Sequence, residues 1–128
     1  MAKKQLFLTT LDADGFIHTR VEAGAEIQLQ DARGNTETVI KISGGANYPI
    51  IVDLREIKSI SKDARDHFAM RNRKPNVTAI AMLVSSPVSS VIGNFFLGLN
   101  KPIVPTRMFT VEQEAIQWMK RTTETGEV

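Results

Sequence analysis

The 128-residue chain has no cysteine, which excludes disulfides, thiolate metal sites and cysteine nucleophiles. Histidine occurs twice, at His18 and His67, and neither has metal-ligand spacing to the other or to acidic residues. No metal and no cofactor is expected. A phosphate-binding glycine loop is missing too: Asn47 to Leu54 contains none, and the one adjacent glycine pair is Gly44-Gly45. No serine sits in a nucleophile-elbow context, so catalysis is not expected. Charge of one sign is lacking. Sixteen basic residues against fourteen acidic leave a net charge of +2, too little to imply nucleic acid even with a pI near 9.1. The opening "MAKKQLFLTTLDADG" lacks the apolar run of a signal peptide, so a cytoplasmic protein is expected. There is no internal repeat, low-complexity linker or domain boundary. A hydrophobic fraction of 42% is that of a soluble globular protein, here read as one domain over residues 1–122 with 123–128 as a disordered tail.

The chain does have one long uncharged run, "VTAIAMLVSSPVSSVIGNFFLGL", Val77 to Leu99. At 23 residues it is long enough to span a bilayer as a helix, but Ser85-Ser86-Pro87 interrupts it near the middle. Proline pushes the residue before it out of helical geometry, and serine is a good helix cap. The run therefore reads as a buried strand, "VTAIAMLV", a turn, and a helix with Pro87 at its first position, rather than as a membrane insertion. Val88, Val91, Ile92, Phe95, Phe96 and Leu99 fall at helical spacing and are expected to face the core.

Elsewhere, "QLFLTTL" and "GFIHTRVE" alternate as strands do, on either side of the turn signal Asp12-Ala13-Asp14-Gly15. "IQLQDARGNTETVIKISGG" suits either a helix with Leu29, Ala32, Thr36, Val39, Ile40 and Ser43 on one face, ended by Gly44-Gly45, or a hairpin turning at Arg33-Gly34-Asn35. Gly34 costs a helix about 1 kcal/mol, so propensity does not decide. The helix is preferred because strands and helices alternate through the rest of the chain. "YPIIVDLREI" is a core strand, Ser61 caps the helix "SKDARDHFAMRNRK", "VPTRMF" is a further strand, and Thr110-Val111-Glu112-Gln113 opens a last helix that buries Val111, Ala115, Trp118, Met119 and Thr122. Alternating strands and helices with right-handed crossovers build a parallel layer covered by helices, an α/β fold.

Two candidate sites stand out. Asp53 and Arg55 end a core strand, and Ser59, Ser61, Asp63 and Arg65 lead into the next helix. Functional groups gather at the carboxyl ends of parallel strands, and helix N-termini attract anions. Arg107, on the edge of the third parallel strand, suits the same place, or is simply a surface strand arginine. The plainer reading is that Asp53 and Arg55 brace the loop while Ser61 only caps. The second candidate is the back of the Pro87 helix, where Ser86, Ser90, Gly93, Asn94 and Leu97 lie opposite the apolar stripe and none is charged. Small residues permit close approach of another backbone, so a second helix, a subunit, an apolar ligand or the chain's own loops could cover this face, and a homodimer contact is the preferred reading. His18 is expected to face solvent and His67 to lie on or partly within a helix surface.

The runs "YPIIVDLREIKSISKDARDHFA" and "SSPVSSVIGNFFLGLNKPIVPTRMFTVEQEAIQWMK" resemble an uncharacterised bacterial family of STAS-like, or SpoIIAA-like, proteins. The resemblance covers most of the chain and is specific from Ile51 to Met119. It implies a mixed sheet that starts with a β-hairpin, helices on one side, and a helix over Leu29 to Ser43. The broader STAS family includes anti-sigma-factor antagonists, transporter tails and stressosome components, which dock to partner proteins and are often switched by phosphorylation of a serine at a helix start. Here that register falls on Lys62 or Asp63, and Ala64 replaces the usual following glycine, so the switch serine is displaced or missing and regulation by that phosphorylation is not expected. Asp63 offers a constitutive negative charge instead. The resemblance thus implies a non-catalytic regulatory or scaffolding domain with an unknown protein partner. The alternative is a small-molecule or lipid-binding domain, since SpoIIAA-like folds resemble lipid-carrying CRAL-TRIO domains.

Overall fold

The computed structural model describes residues 5–71, 77–100 and 104–125. The chain opens with a hairpin of β1 (Phe7–Leu11) and β2 (Ile17–Val21), paired antiparallel. Asp12 shapes the turn: its Oδ1 accepts from the backbone N–H groups of Asp14 at 2.9 Å and Phe16 at 3.0 Å, while Gly15 takes the positive φ that glycine tolerates. The ambiguous segment is a helix, α1 (Leu29–Ser43). The Gln28 N–H donates to Asp31 Oδ2 at its start, and left-handed Gly44 donates to the Ile40 carbonyl at its end.

After α1 come β4 (Tyr48–Asp53), α2 (Lys62–Arg71), β6 (Val77–Leu83), α3 (Pro87–Asn100), β7 (Thr106–Phe109) and α4 (Glu112–Thr125). Two short strands escaped the sequence reading. They are β3 (Glu26–Ile27) and β5 (Ser59–Ile60), which pair parallel beside the main sheet. The main sheet has the order β1-β2-β4-β6-β7, with every pair parallel except the hairpin. Arg73 and Lys74, expected at the end of α2, lie outside the described residues. Helix α4 runs to Thr125, three residues into the expected tail, and 126–128 lie outside the described residues. Among the described residues no helix is long and apolar enough to cross a membrane.

The helices are not all on one side, contrary to what the resemblance implies. From β2 to β7 the strands advance in one direction across the sheet, so right-handed crossovers put α1, α2 and α3 on the same face. Ile17, Ile50, Ile80 and Met82 meet Ala32, Val39, Ala64, Ile92 and Phe96 there. Helix α4 is not a crossover. It covers the other face, where Ala115, Trp118 and Met119 pack on Ile51, Ala79, Ala81 and Leu83. The alanines Ala79 and Ala81 on β6 let α4 sit close. Val111, expected in the stripe of α4, precedes the helix and is exposed.

Helix α3 is rotated from its expected position. Its buried face is Ser89, Ile92, Gly93 and Phe96, whereas Val88, Val91 and Phe95 are 44%, 70% and 37% exposed. Both faces of α3 are uncharged, so hydrophobicity does not select between them; close packing does. Ser89 is fully buried and its hydroxyl accepts from the Ser85 and Ser86 N–H groups, both at 2.9 Å, while the Ser89 N–H donates back to Ser86 Oγ at 3.0 Å. A Cβ on Gly93 would lie 3.0 Å from Met108 Sδ and 3.1 Å from Val84 Cγ1. The small residues thus bring α3 against β7. Gly93→Val would overpack this contact and is expected to lower stability by about 1–3 kcal/mol in urea unfolding; an unchanged midpoint would show that α3 does not need the close approach.

Candidate functional site

The residues expected to form one site at the carboxyl ends of the strands divide between the two faces of the sheet. Asp53 points to the α4 face. Arg55 holds it bidentately, with Nε to Oδ1 at 3.0 Å and Nη2 to Oδ2 at 2.7 Å, and the Arg55 N–H adds a bond at 3.1 Å. Arg20 Nε approaches Asp53 Oδ2 at 3.5 Å, and Arg55 Nη2 reaches Glu112 Oε1 at 3.4 Å. The bracing reading therefore describes Asp53 and Arg55. Burial alone would raise the Asp53 carboxyl, but hydrogen bonds from Arg55 and the charges of Arg55 and Arg20 outweigh it, and its pKa lies below the ordinary carboxylate value. Arg107 does not join this cluster. Its guanidinium stacks over Phe109 at 5.2 Å and Trp118 at 5.9 Å, two strands away from Asp53.

Because α4 covers β4, β6 and β7, the same face of β1 and β2 is bare. A shallow groove of about 370 Å³ runs there, lined by Leu8, Thr10, Asp12, His18, Arg20 and Asp53 among others. His18 is half-buried rather than solvent-facing, with Nε2 2.7 Å from Asp12 Oδ2 across the hairpin turn.

The Ser59 to Arg65 corner lies over the opposite face. Ser61 is the N-cap of α2: its Oγ accepts from the Ala64 N–H at 3.1 Å. Ser59 is half-buried on β5, and Asp63 is exposed in the first turn of α2. Arg65 extends over the Phe95 ring, 5.3 Å from its centroid. That contact joins the α2 corner to α3, linking two surfaces that the sequence suggested separately. The residues expected at a dimer contact do not share one exposed face, however: Gly93 is buried against β7, Ser86, Ser90 and Leu97 are half-buried, and Asn94 is exposed. What faces solvent is the ridge of Val88, Val91 and Phe95.

Sequence reasoning missed one further feature. Under α2, between the three helices and the sheet, lies a cavity of about 130 Å³ whose lining is almost wholly apolar. Its floor is Thr19, Ile50, Val52, Ile80 and Met82, and the rings of Phe7, Phe68 and Phe96 meet edge to face along its wall. Val52, on the central strand, is left only half-buried by it. The only signal in the sequence was Asn35, a polar residue on the buried face of α1 between Ala32 and Val39.

Asp53 generates a prediction from the sign of its shift. A carboxyl whose folded pKa is depressed contributes in full above its unfolded value of about 3.9, and the contribution is lost as pH falls through the folded value. Asp53→Asn should cost about 1–2 kcal/mol at pH 7 by chemical denaturation, with the difference from the wild type closing below about pH 4. A gap that stays constant into strong acid would mean the carboxylate charge is not what Arg55 and Arg20 recognise.

The family model for the domain of unknown function DUF7793 matches residues 9–123. No curated protein matches the chain. Among solved structures, the chain is similar to an uncharacterised protein of the DUF3478 family with a SpoIIAA-like fold from Shewanella loihica PV-4. The two are 12% identical, with a TM-score of 0.68 and coverage of 93% of this chain and 98% of that one. It is also similar to a protein of unknown function from Arthrobacter sp. FB24, at 34% identity over 88% of this chain and 97% of that one, with a TM-score of 0.34. With its match over residues 9–123 and its SpoIIAA-like fold, the chain belongs to the DUF7793 family of domains of unknown function.

Proposed function

We propose that this domain is a non-catalytic regulatory or scaffolding module that works by protein–protein contact through the α2–α3 surface, beginning with a second copy of itself. The observation that carries this reading is the exposed ridge of Val88, Val91 and Phe95, flanked by Arg65 on Phe95. A contiguous apolar strip rimmed by polar groups is characteristic of an interaction surface rather than of a solvated helix. The ordinary solvent face of a helix is charged, yet α3 has no ionisable residue from Pro87 to Asn100.

That absence favours a self-contact. In a two-fold interface each patch meets its own copy, so a charged helix would set like charges together, and an uncharged one does not. The ridge has replaced the small-residue face as the dimer surface, because Ser89 and Gly93 are used inside the monomer. A catalytic reading has less support. The ionised groups of the Asp53 corner are paired with one another, and Ser61 is committed to its cap.

Native mass spectrometry or sedimentation at micromolar concentration should show a dimer. Val91→Lys would place a charge at the centre of the ridge, where the side chain is 70% exposed in the single chain, and should return the protein to monomers that keep the wild-type circular dichroism spectrum. A monomeric wild type, or a Val91→Lys dimer, would remove the α3 contact from consideration.

A further inference from the structure

The two edges of the main sheet differ. Strand β7 follows Pro105 and carries the exposed Arg107, and proline and charge both guard a sheet edge against pairing with another chain. Strand β1 has neither guard. Phe7-Leu8-Thr9-Thr10-Leu11 contains no charge and no proline, its register with β2 runs without a bulge, and Leu8 and Leu11 are 64% and 51% exposed. The phase of the ladder fixes which backbone groups face outward. The Glu22 N–H donates to the Leu6 carbonyl at 2.9 Å and the Asp12 N–H to the Phe16 carbonyl at 3.0 Å. Leu8 and Thr10 therefore bond to β2, and the N–H and C=O groups of Phe7, Thr9 and Leu11 point away from the sheet. The backbone groups of those three residues meet no hydrogen-bond partner among the described residues.

From this geometry we propose that β1 is a self-pairing edge: two copies join their β1 strands antiparallel about Thr9 and make one continuous sheet. In that register Thr9 meets the partner's Thr9 and Phe7 meets the partner's Leu11, each pair exchanging backbone hydrogen bonds, and the exposed Leu11 side chain gains an aromatic neighbour. Two observations favour a second copy over a foreign strand. The strand itself is uncharged, so self-pairing sets no like charges face to face. In sequence it is preceded by Lys3 and Lys4 and followed by Asp12 and Asp14, so an antiparallel copy sets basic and acidic flanks side by side. A strand of 5 residues buries less area than a stable dimer needs, which makes this contact weaker than micromolar on its own. Because α3 packs on β7 at the far edge, its ridge and the β1 edge leave the sheet at opposite ends. Two-fold contacts placed so extend a row of copies instead of closing a ring. The pairing at β1 stands by itself, whereas the row rests also on the α3 contact.

The test is sedimentation velocity on the full chain from micromolar to millimolar concentration, with amide hydrogen exchange on the same samples. Val91→Lys, which removes the α3 contact, should pass from monomer to dimer over that range and stop there. In its dimer the amides of Phe7, Thr9 and Leu11 should become slow to exchange, while those of Leu8 and Thr10 are slow throughout. The wild type should grow past the dimer as its concentration rises. Adding Leu11→Pro to Val91→Lys removes an outward donor without touching the β2 ladder and should hold the protein monomeric at every concentration. Where that variant does not fold, Leu11→Lys, at an exposed side chain, sets a charge against the partner's Phe7 and should have the same effect. Val91→Lys that stays monomeric to millimolar concentration, a dimer that survives the Leu11 substitutions, or outward amides that gain no protection would each overturn the self-pairing. A wild type that stops at the dimer while Val91→Lys pairs would overturn the row alone. Failure of the α3 contact would show separately, as a wild type already monomeric at micromolar concentration.

Discussion

Among the described residues four helices cover both faces of a five-stranded sheet, and their unequal division governs the rest of this molecule. The one-directional order from β2 to β7 commits α1, α2 and α3 to a single face by crossover handedness. Only α4 is left for the other. One helix cannot cover five strands, so the second core is confined to β4, β6 and their immediate neighbours. On the hairpin the same face carries the exposed Leu8 beside Thr10, His18 and Arg20, which are open to solvent or paired there. The Asp53, Arg55 and Glu112 ion pairs close the edge where α4 begins.

Crowding on the three-helix face has the opposite effect. Helix α1 packs along β1 and α3 along β7, and α2 rides mainly on its two helical neighbours. The helices therefore bridge the centre of the sheet instead of filling it. The cavity above Thr19, Val52 and Met82 and the rotation of α3 both stem from this one arrangement. Drawn close to β7 at Gly93, α3 turns Val88, Val91 and Phe95 away from the core. An interior space and an exterior ridge are thus two results of the same packing.

Much of this was legible beforehand. The Asp12 to Gly15 turn, the Ser85-Ser86-Pro87 break and the Gly44 stop are local chemistry, in which a side chain or a glycine satisfies backbone geometry within a few residues. The strand at "VTAIAMLV" was visible because burial on both faces leaves no room for polar alternation. The pairs β3 and β5 were not visible, since two residues carry no periodicity and their pairing spans more than thirty positions. The candidate site residues fared unevenly for the same reason. Arg55 and Asp53 are neighbours in sequence and meet, whereas Arg107 was assigned to them by strand order alone and stacks on Phe109 and Trp118 instead.

The sequence by itself determined the order and kind of the long elements, the turns and caps between them, and the parallel core, because each depends on contacts within a few residues or on runs of consistent burial. Only the tertiary structure decided which face of α3 is buried, which side of the sheet α4 covers, and that an apolar pocket with Asn35 in its lining lies beneath α2. Those outcomes depend on how closely particular atoms approach across the sheet, as Gly93 does to Met108, and hydrophobic pattern carries no record of such distances.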